Sequence, residues 1–391
     1  MTDPMRRTDY LVPGEIRLQP QVIRRVLEIV DPMLEPIARD IVQRDIRDIV
    51  MTGCGDSLFS AMAAAFSFVR FSGRMTTPLH ALEYSRGFYR ASGPRTLLCA
   101  LSYSGETRRT LEAAIAARSR NACVLALTVD SSGSIAQLAD HLVPNVSPRE
   151  AERSNCRTGS YQAAYLALVM LAAHIAEADR PGDTGILDGL RREMEDLAAG
   201  VECALPTMEA MGREAASLLR SAGSIYYVGG GEAHAAALYG AAKLYETSSL
   251  PAVPQETEQF AHCEIFSLEV DSVAIVIALR GPFYDRAVEV ADAIRQIGAR
   301  VIGISNDSRF GAHADLGITI ETEGFDDLAA SLAVIPLQWM AFHDAVSRGQ
   351  DPDLVRHKSV NSPLIRSVPI WDDNDYRLAA HARDDVKRGD R

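Results

Sequence analysis

The stretch Ile49-Val50-Met51-Thr52-Gly53-Cys54-Gly55-Asp56 decides the fold. Its first four residues are apolar or β-branched and read as a buried strand, and two glycines then mark a tight turn. An alanine-rich stretch, Ser57 to Phe71, follows and reads as a helix. Strand, glycine turn and helix form the building unit of a parallel α/β sheet. The same reading recurs about 176 residues later, in Ile225-Tyr226-Tyr227-Val228-Gly229-Gly230-Gly231-Glu232 and the helical stretch Ala233 to Ser249.

The register persists outward from this pair. The strand Leu97 to Leu101 corresponds to Val273 to Leu279, and Val124 to Thr128 corresponds to Val301 to Ser305, with offsets agreeing within two residues. Between them lie helical stretches such as Arg109 to Arg118 and Asp285 to Ile297. Short apolar strands alternating with helices imply a sheet covered on both faces. The expected fold class is therefore α/β: two tandem doubly wound parallel-sheet domains, flavodoxin-like, preceded by a helical N-terminal arm. We expect the arm over 1–44, the first domain over 45–190, the second over 191–350, and a C-terminal segment and tail over 351–391.

Bulk properties narrow the function. The 391 residues suffice for two domains with full cores, and 47% hydrophobic with 24% charged residues is ordinary globular composition. A formal charge of -12 gives nonspecific nucleic-acid or anionic-membrane binding no support, although a phosphate can still be held locally by backbone amides and hydroxyls. The six cysteines are scattered without a CxxC pair, and Met1 to Thr8 lacks an apolar signal core. No apolar run reads as a membrane span. These features predict a cytoplasmic protein. No metal or cofactor is expected: the histidines show no supported ligand spacing, and the glycine turns lack the third glycine of a dinucleotide fingerprint.

Three strand ends in the first domain carry small, hydroxyl-rich turns: Gly53-Cys54-Gly55-Asp56-Ser57, Ser102-Tyr103-Ser104-Gly105-Glu106-Thr107 and Asp130-Ser131-Ser132-Gly133-Ser134. In parallel sheets such ends bind ligands, and each turn opens a helix whose amino end favours an anion. Any one of them reads equally well as a helix cap. Three together read as an anion site, expected to use Gly53, Gly55, Ser57, Ser102, Ser104, Thr107, Ser131, Ser132 and Ser134. The second copy has Arg280-Gly281-Pro282 where the first has Ser102-Tyr103-Ser104, and a purely structural need would have applied to both.

Ser102-Tyr103-Ser104-Gly105-Glu106-Thr107 after a buried strand resembles the phosphosugar loop of the sugar isomerase (SIS) domain family, and over about residues 20–365 the chain is similar to the double-SIS isomerase half of glucosamine-6-phosphate synthase and to related phosphosugar deaminases and Amadori-product deglycases. The resemblance implies that the first domain binds a sugar phosphate and the second supplies the chemistry. Ala241-Ala242-Lys243-Leu244-Tyr245-Glu246 resembles the family's base-bearing helix, which gives Glu246 the proton transfer beside Lys243. By spacing alone, a Lys–Glu pair three apart is ordinarily a solvated salt bridge. His262 matches the histidine that assists ring opening from the partner subunit, implying a homodimer with shared active sites. Lys358, within Asp353 to Val360, matches the lysine that contacts the C1 or C2 oxygen of the sugar or forms an imine with it.

Departures from the pattern surround the sugar portion: Cys263-Glu264 after the histidine, Gln259 three residues before it, and Gly159 in place of a lysine, while Glu152 and Thr158 keep the pattern. With about 45 residues before the first strand, no glutaminase domain is expected. The implied activity is aldose–ketose isomerisation of a hexose or hexosamine 6-phosphate. Deamination of an amino-sugar phosphate and deglycation of an Amadori phosphate are the enzymatic alternatives, and a noncatalytic sugar-phosphate sensor is the alternative of another class.

Overall fold

The structure, a computed structural model, describes residues 9–148, 150–182 and 185–354. Lys358 and most of the C-terminal segment lie outside the described residues. The described residues hold ten strands: β1 Asp48–Gly53, β2 Met75–His80, β3 Thr96–Leu101, β4 Cys123–Thr128, β5 His141–Pro144, β6 Ser224–Gly229, β7 Val253–Glu256, β8 Ser272–Ala278, β9 Arg300–Ser305 and β10 Leu316–Thr319. The helices are α1 Val12–Arg17, α2 Gln19–Arg25, α3 Asp31–Gln43, α4 Asp56–Ser72, α5 Ala81–Arg86, α6 Arg108–Arg118, α7 Ser134–Leu138, α8 Gly159–Asp179, α9 Ile186–Leu219, α10 Glu232–Ser248, α11 Thr257–His262, α12 Tyr284–Ile297 and α13 Ala329–Ser347.

The strands form two five-stranded sheets, ordered β2-β1-β3-β4-β5 and β10-β9-β8-β6-β7. Every pairing is parallel. Read from the other edge, the second sheet repeats the order of the first. β3 and β4 are buried at every residue, as is β8, because helices cover both faces and leave no position for a polar alternation. The edge strands β2 and β5 are half-buried, as strands with one open side should be. Helices α1 to α3 form the expected helical N-terminal region.

The chain divides into two compact units. One holds residues 25–147 and 163–190, with the first sheet; the other holds the described parts of 1–24, 148–162 and 191–354, with the second. In the first unit, Leu98, Ala100, Val124 and Ala126 pack with Leu111, Ala114 and Ala117 of α6 and with Ile135 of α7. In the second, Val228, Val276 and Val301 pack with Val290 and Ile294 of α12 and with Phe260 and Phe310. Against the expectation that no apolar run reads as a membrane span, α8, at 21 residues, is long and apolar enough to cross one, but its apolar window is entirely buried, as befits a core helix.

Candidate functional site

In both sheets a first strand, β1 or β6, lies between the second strand of its half and the third. The chain leaves the two middle strands in opposite directions, and this switch point opens a crevice at their carboxyl ends. The turns after β1 and β3 border it in the first unit, and those after β6 and β8 in the second. Gly55 (φ 56°, ψ -131°) and Gly231 (φ 61°, ψ -129°) cap the two following helices with the same backbone shape. An L side chain rarely adopts that shape, so glycine is required in both copies.

The surroundings of the two turns differ. A Cβ placed on Gly55 would meet nothing within 4 Å among the described residues, whereas one on Gly231 would lie 2.4 Å from a ring carbon of Phe283. Gly230 meets the same ring, its Cβ falling 2.9 Å from that of Phe283. Arg280 of the same turn is held by Asp326 (2.8 Å) and Thr322 (3.2 Å). The second copy thus has its switch-point turn covered by an aromatic ring, and the first has it open.

The hydroxyls of the first copy sort into two groups. Ser132 Oγ donates to Asp130 (2.6 Å), and Ser134 Oγ donates to Glu106 (2.7 Å), whose carboxylate also accepts from the Ser134 amide at 2.7 Å. Each has its hydrogen committed to a carboxylate, so neither side chain is left as a donor to an anion. Ser132 braces its own turn, while Ser134 locks the turn after β4 onto the turn after β3, where Gly105 and Gly133 approach so closely that a Cβ on Gly133 would fall 3.3 Å from the Gly105 Cα. Ser102 Oγ likewise donates inward, to Thr107 Oγ1 (2.9 Å). Thr107 is an acceptor in that bond, and Ser104 Oγ accepts from the Glu106 amide (3.2 Å), which leaves both hydroxyl hydrogens for an outward acceptor. Thr107 also caps the eleven-residue α6, whose amino end adds its dipole to the site. Ser57 is half-buried on the first turn of α4, and Ser131 is exposed.

In the second unit, Lys243 and Glu246 stand three apart on α10. Their side chains are 0% and 29% exposed, and the ammonium donates to Glu246 Oε2 at 2.6 Å. This is no solvated pair. The buried ammonium also donates to the Cys156 carbonyl and sits 4.9 Å from the centre of the Tyr239 ring. Tyr239 stacks on Tyr161 with ring centres 4.2 Å apart, and its hydroxyl accepts from Gln338, which in turn accepts from Gln19 (2.6 Å). Lys243 therefore fixes one oxygen of a carboxylate that remains open to solvent. His262 ends α11, its side chain 71% exposed and hydrogen-bonded to Glu258 (2.9 Å), which Arg286 also holds. The departures Gln259 and Cys263 contact each other across one turn, Nε2 to Sγ 3.0 Å.

Sequence reasoning missed the anchor of the segment 150–158. Glu15 of α1, 2% exposed, accepts from the Ser154 amide and hydroxyl, both at 2.6 Å. Burial raises its carboxyl above the usual value, partly offset by the Ser154 hydrogen bonds. Asp353 accepts from the Leu11 and Val12 amides, and its own carbonyl accepts from the Asn155 amide at 3.0 Å. Glu152 accepts from the Ser160 amide at the start of α8. The available signal was an acid spaced among Val12 and Ile16 on an apolar face. A further grouping was not visible in sequence: Asp40, Cys123 and His141 bring donor atoms within 4.8 Å of one another. Arg44 pairs with Asp40 at 2.6 Å and His141 hydrogen-bonds it at 2.8 Å, so this cluster already carries its own cation.

Fold and turns together define a duplicated doubly wound α/β protein with one open switch-point turn and one that an aromatic ring covers. The chain belongs to the SIS domain family, which it matches twice, at residues 44–174 and 218–348. It is 29% identical over 359 residues to the glutamine--fructose-6-phosphate aminotransferase [isomerizing] of Thermococcus kodakarensis, covering 91% of this chain and 57% of that protein. It therefore spans under three fifths of the length of that relative. Its fold is similar to the C-terminal domain of glucosamine-fructose-6-phosphate aminotransferase from Francisella tularensis (TM-score 0.80, 18% identity, 88% of this chain and 98% of that one). It is also similar to tagatose-6-phosphate ketose/aldose isomerase from Escherichia coli (TM-score 0.71, 19% identity, 89% and 95%).

Proposed function

We propose that this protein is an aldose–ketose isomerase of a hexose or hexosamine 6-phosphate, working by proton transfer through an enediolate. One observation carries the reading: Glu246 is a solvent-accessible carboxylate whose position is fixed by a fully buried ammonium. A base that moves a proton between adjacent carbons needs that combination of access and fixed aim. In this proposal the Gly55 turn, Ser104, Thr107 and the amino end of α6 hold the phosphate. Ser102, Ser132 and Ser134 shape the loops that present it. Glu246 takes the proton from C2 or C1 and returns it to the neighbouring carbon. Lys243 is a positioning residue, since its ammonium holds Glu246 and the Cys156 carbonyl.

His262 is assigned to ring opening. Its exposure suits a residue that serves the site of a second copy, so a homodimer with shared sites belongs to the same proposal, as does a cytoplasmic location. Lys358 is assigned to the C1 or C2 oxygen of the open-chain sugar. The test is proton NMR in deuterated water with fructose 6-phosphate, glucose 6-phosphate and glucosamine 6-phosphate. Deuterium entering at C1 or C2, and lost by a factor of about 100 or more in Glu246→Gln, is the expected result. Ammonia release in the same tube would instead make the protein a deaminase. Binding without exchange over a broad sugar-phosphate panel would leave a noncatalytic sensor.

A further inference from the structure

The first turn of α6 runs against helix electrostatics. Arg108 and Arg109 occupy it with no acidic residue, although the amino end of a helix carries positive partial charge and disfavours cations. Arg86, at the end of α5, joins them. All three converge on a single carboxylate: Glu112, 1% exposed, takes Arg109 at 2.6 Å, Arg108 at 3.3 Å and Arg86 at 3.0 Å. One carboxylate cannot balance three guanidiniums, so a surplus of positive charge is concentrated here, in a chain whose formal charge is -12. Arg86 and Arg109 keep 46% and 40% of their side chains exposed. Arg108 and Arg109 directly follow Thr107, the N-cap of α6, and the charges of Arg109 and Glu112 both act on the Cys54 thiol of the open glycine turn, which puts the patch beside the phosphate turn.

The second copy serves as an internal control. There Asp285 stands where the first copy has Arg109, Val288 where it has Glu112, and His262 where it has Arg86. The equivalent helix α12 thus carries the acid that its amino end favours. The fold itself does not call for the arginines, and they accompany only the turn that is open. Placing cations against a helix dipole is the kind of local rule-breaking that functional sites show.

We propose that Arg86 and Arg109 bind a second anionic group of the ligand whose phosphate rests on the Gly55 and Ser104–Thr107 turns, so that the ligand is a sugar phosphate bearing an additional carboxylate or phosphate. This rests on the phosphosugar reading above. Calorimetric titration of the full chain with glucose 6-phosphate, 6-phosphogluconate and fructose 1,6-bisphosphate tests it. At least one of the two doubly anionic ligands binds roughly tenfold or more tighter than glucose 6-phosphate, the gain of one charge-assisted contact, and which one does names the second group. In Arg109→Gln and Arg86→Gln, tested singly so that one misfolded variant does not end the experiment, that ratio falls toward one. Equal affinity for all three ligands in the wild type, or a ratio unchanged in both variants, overturns the proposal and leaves the phosphosugar reading standing. Binding of no sugar phosphate at all overturns both.

Discussion

Alanine placed at Gly55 and at Gly231 compares the two copies directly. The two glycines share one backbone conformation, so the conformational cost of a Cβ, about 1–3 kcal/mol, is common to both substitutions. At Gly55 the new methyl enters open space; at Gly231 it lands 2.4 Å from the Phe283 ring. Overpacking adds about 1–3 kcal/mol, and the lower end applies because Phe283 is 40% exposed rather than locked in the core. Gly55→Ala is therefore expected to cost ~1–3 kcal/mol and Gly231→Ala ~1 kcal/mol more. Urea denaturation of each variant against the wild type, with unchanged slope, measures the difference. Calorimetric titration with glucose 6-phosphate should show binding weakened by Gly55→Ala alone, since only there does the methyl occupy the open turn. Equal costs for the two variants would mean that Phe283 does not fill the second turn. Undiminished binding by Gly55→Ala would mean that the open turn is not the anion site.

Glu106→Gln replaces the carboxylate that accepts both the Ser134 amide and hydroxyl, and should cost about 1–3 kcal/mol while accelerating amide exchange at Ser134 and Ile135; unchanged exchange would refute the clamp. Glu15 holds its proton more tightly folded than unfolded, chiefly because it is buried, so it withdraws stability as pH rises above the usual 4.5 through its raised value. Glu15→Gln should flatten the stability–pH curve in that window, as denaturation midpoints at several pH values would show. His343, stacked on Trp339, has its imidazole lowered from 6.5 to about 4, first by burial and then by the charge of Arg213. Its neutral form is favoured in the fold, so its contribution is complete above 6.5 and is lost as pH falls toward 4. Its partial exposure holds the effect to roughly 1–2 kcal/mol, and His343→Phe should abolish that slope.

The repeat was legible because strands, glycine turns and helix starts must recur at fixed spacing when a domain is duplicated. Gly53-Cys54-Gly55 and Gly229-Gly230-Gly231 carry that spacing visibly, and both close β1 and β6 as expected. Hydroxyl roles were not legible. Ser132 and Ser104 look alike in sequence, but one is turned onto Asp130 by its own turn and the other is not. Nor did the sequence separate a surface Lys–Glu pair from the buried one at Lys243. The distinction comes from Cys156, 87 residues earlier in the chain, whose carbonyl takes the ammonium. Glu15 and Asp353 act through residues far away in sequence, which no local pattern records.

Lys243 also has a mechanical meaning. One ammonium grips the carbonyl at position 156 and the carboxylate at position 246, so the segment 150–158 and the end of α10 share a single fastening. Glu15 and Asp353 secure the same segment from elsewhere in its unit. A displacement of that segment that carries the Cys156 carbonyl away takes from the ammonium one of the contacts that aim it at Glu246. Moving the loop and re-aiming the carboxylate are then coupled mechanically through one side chain.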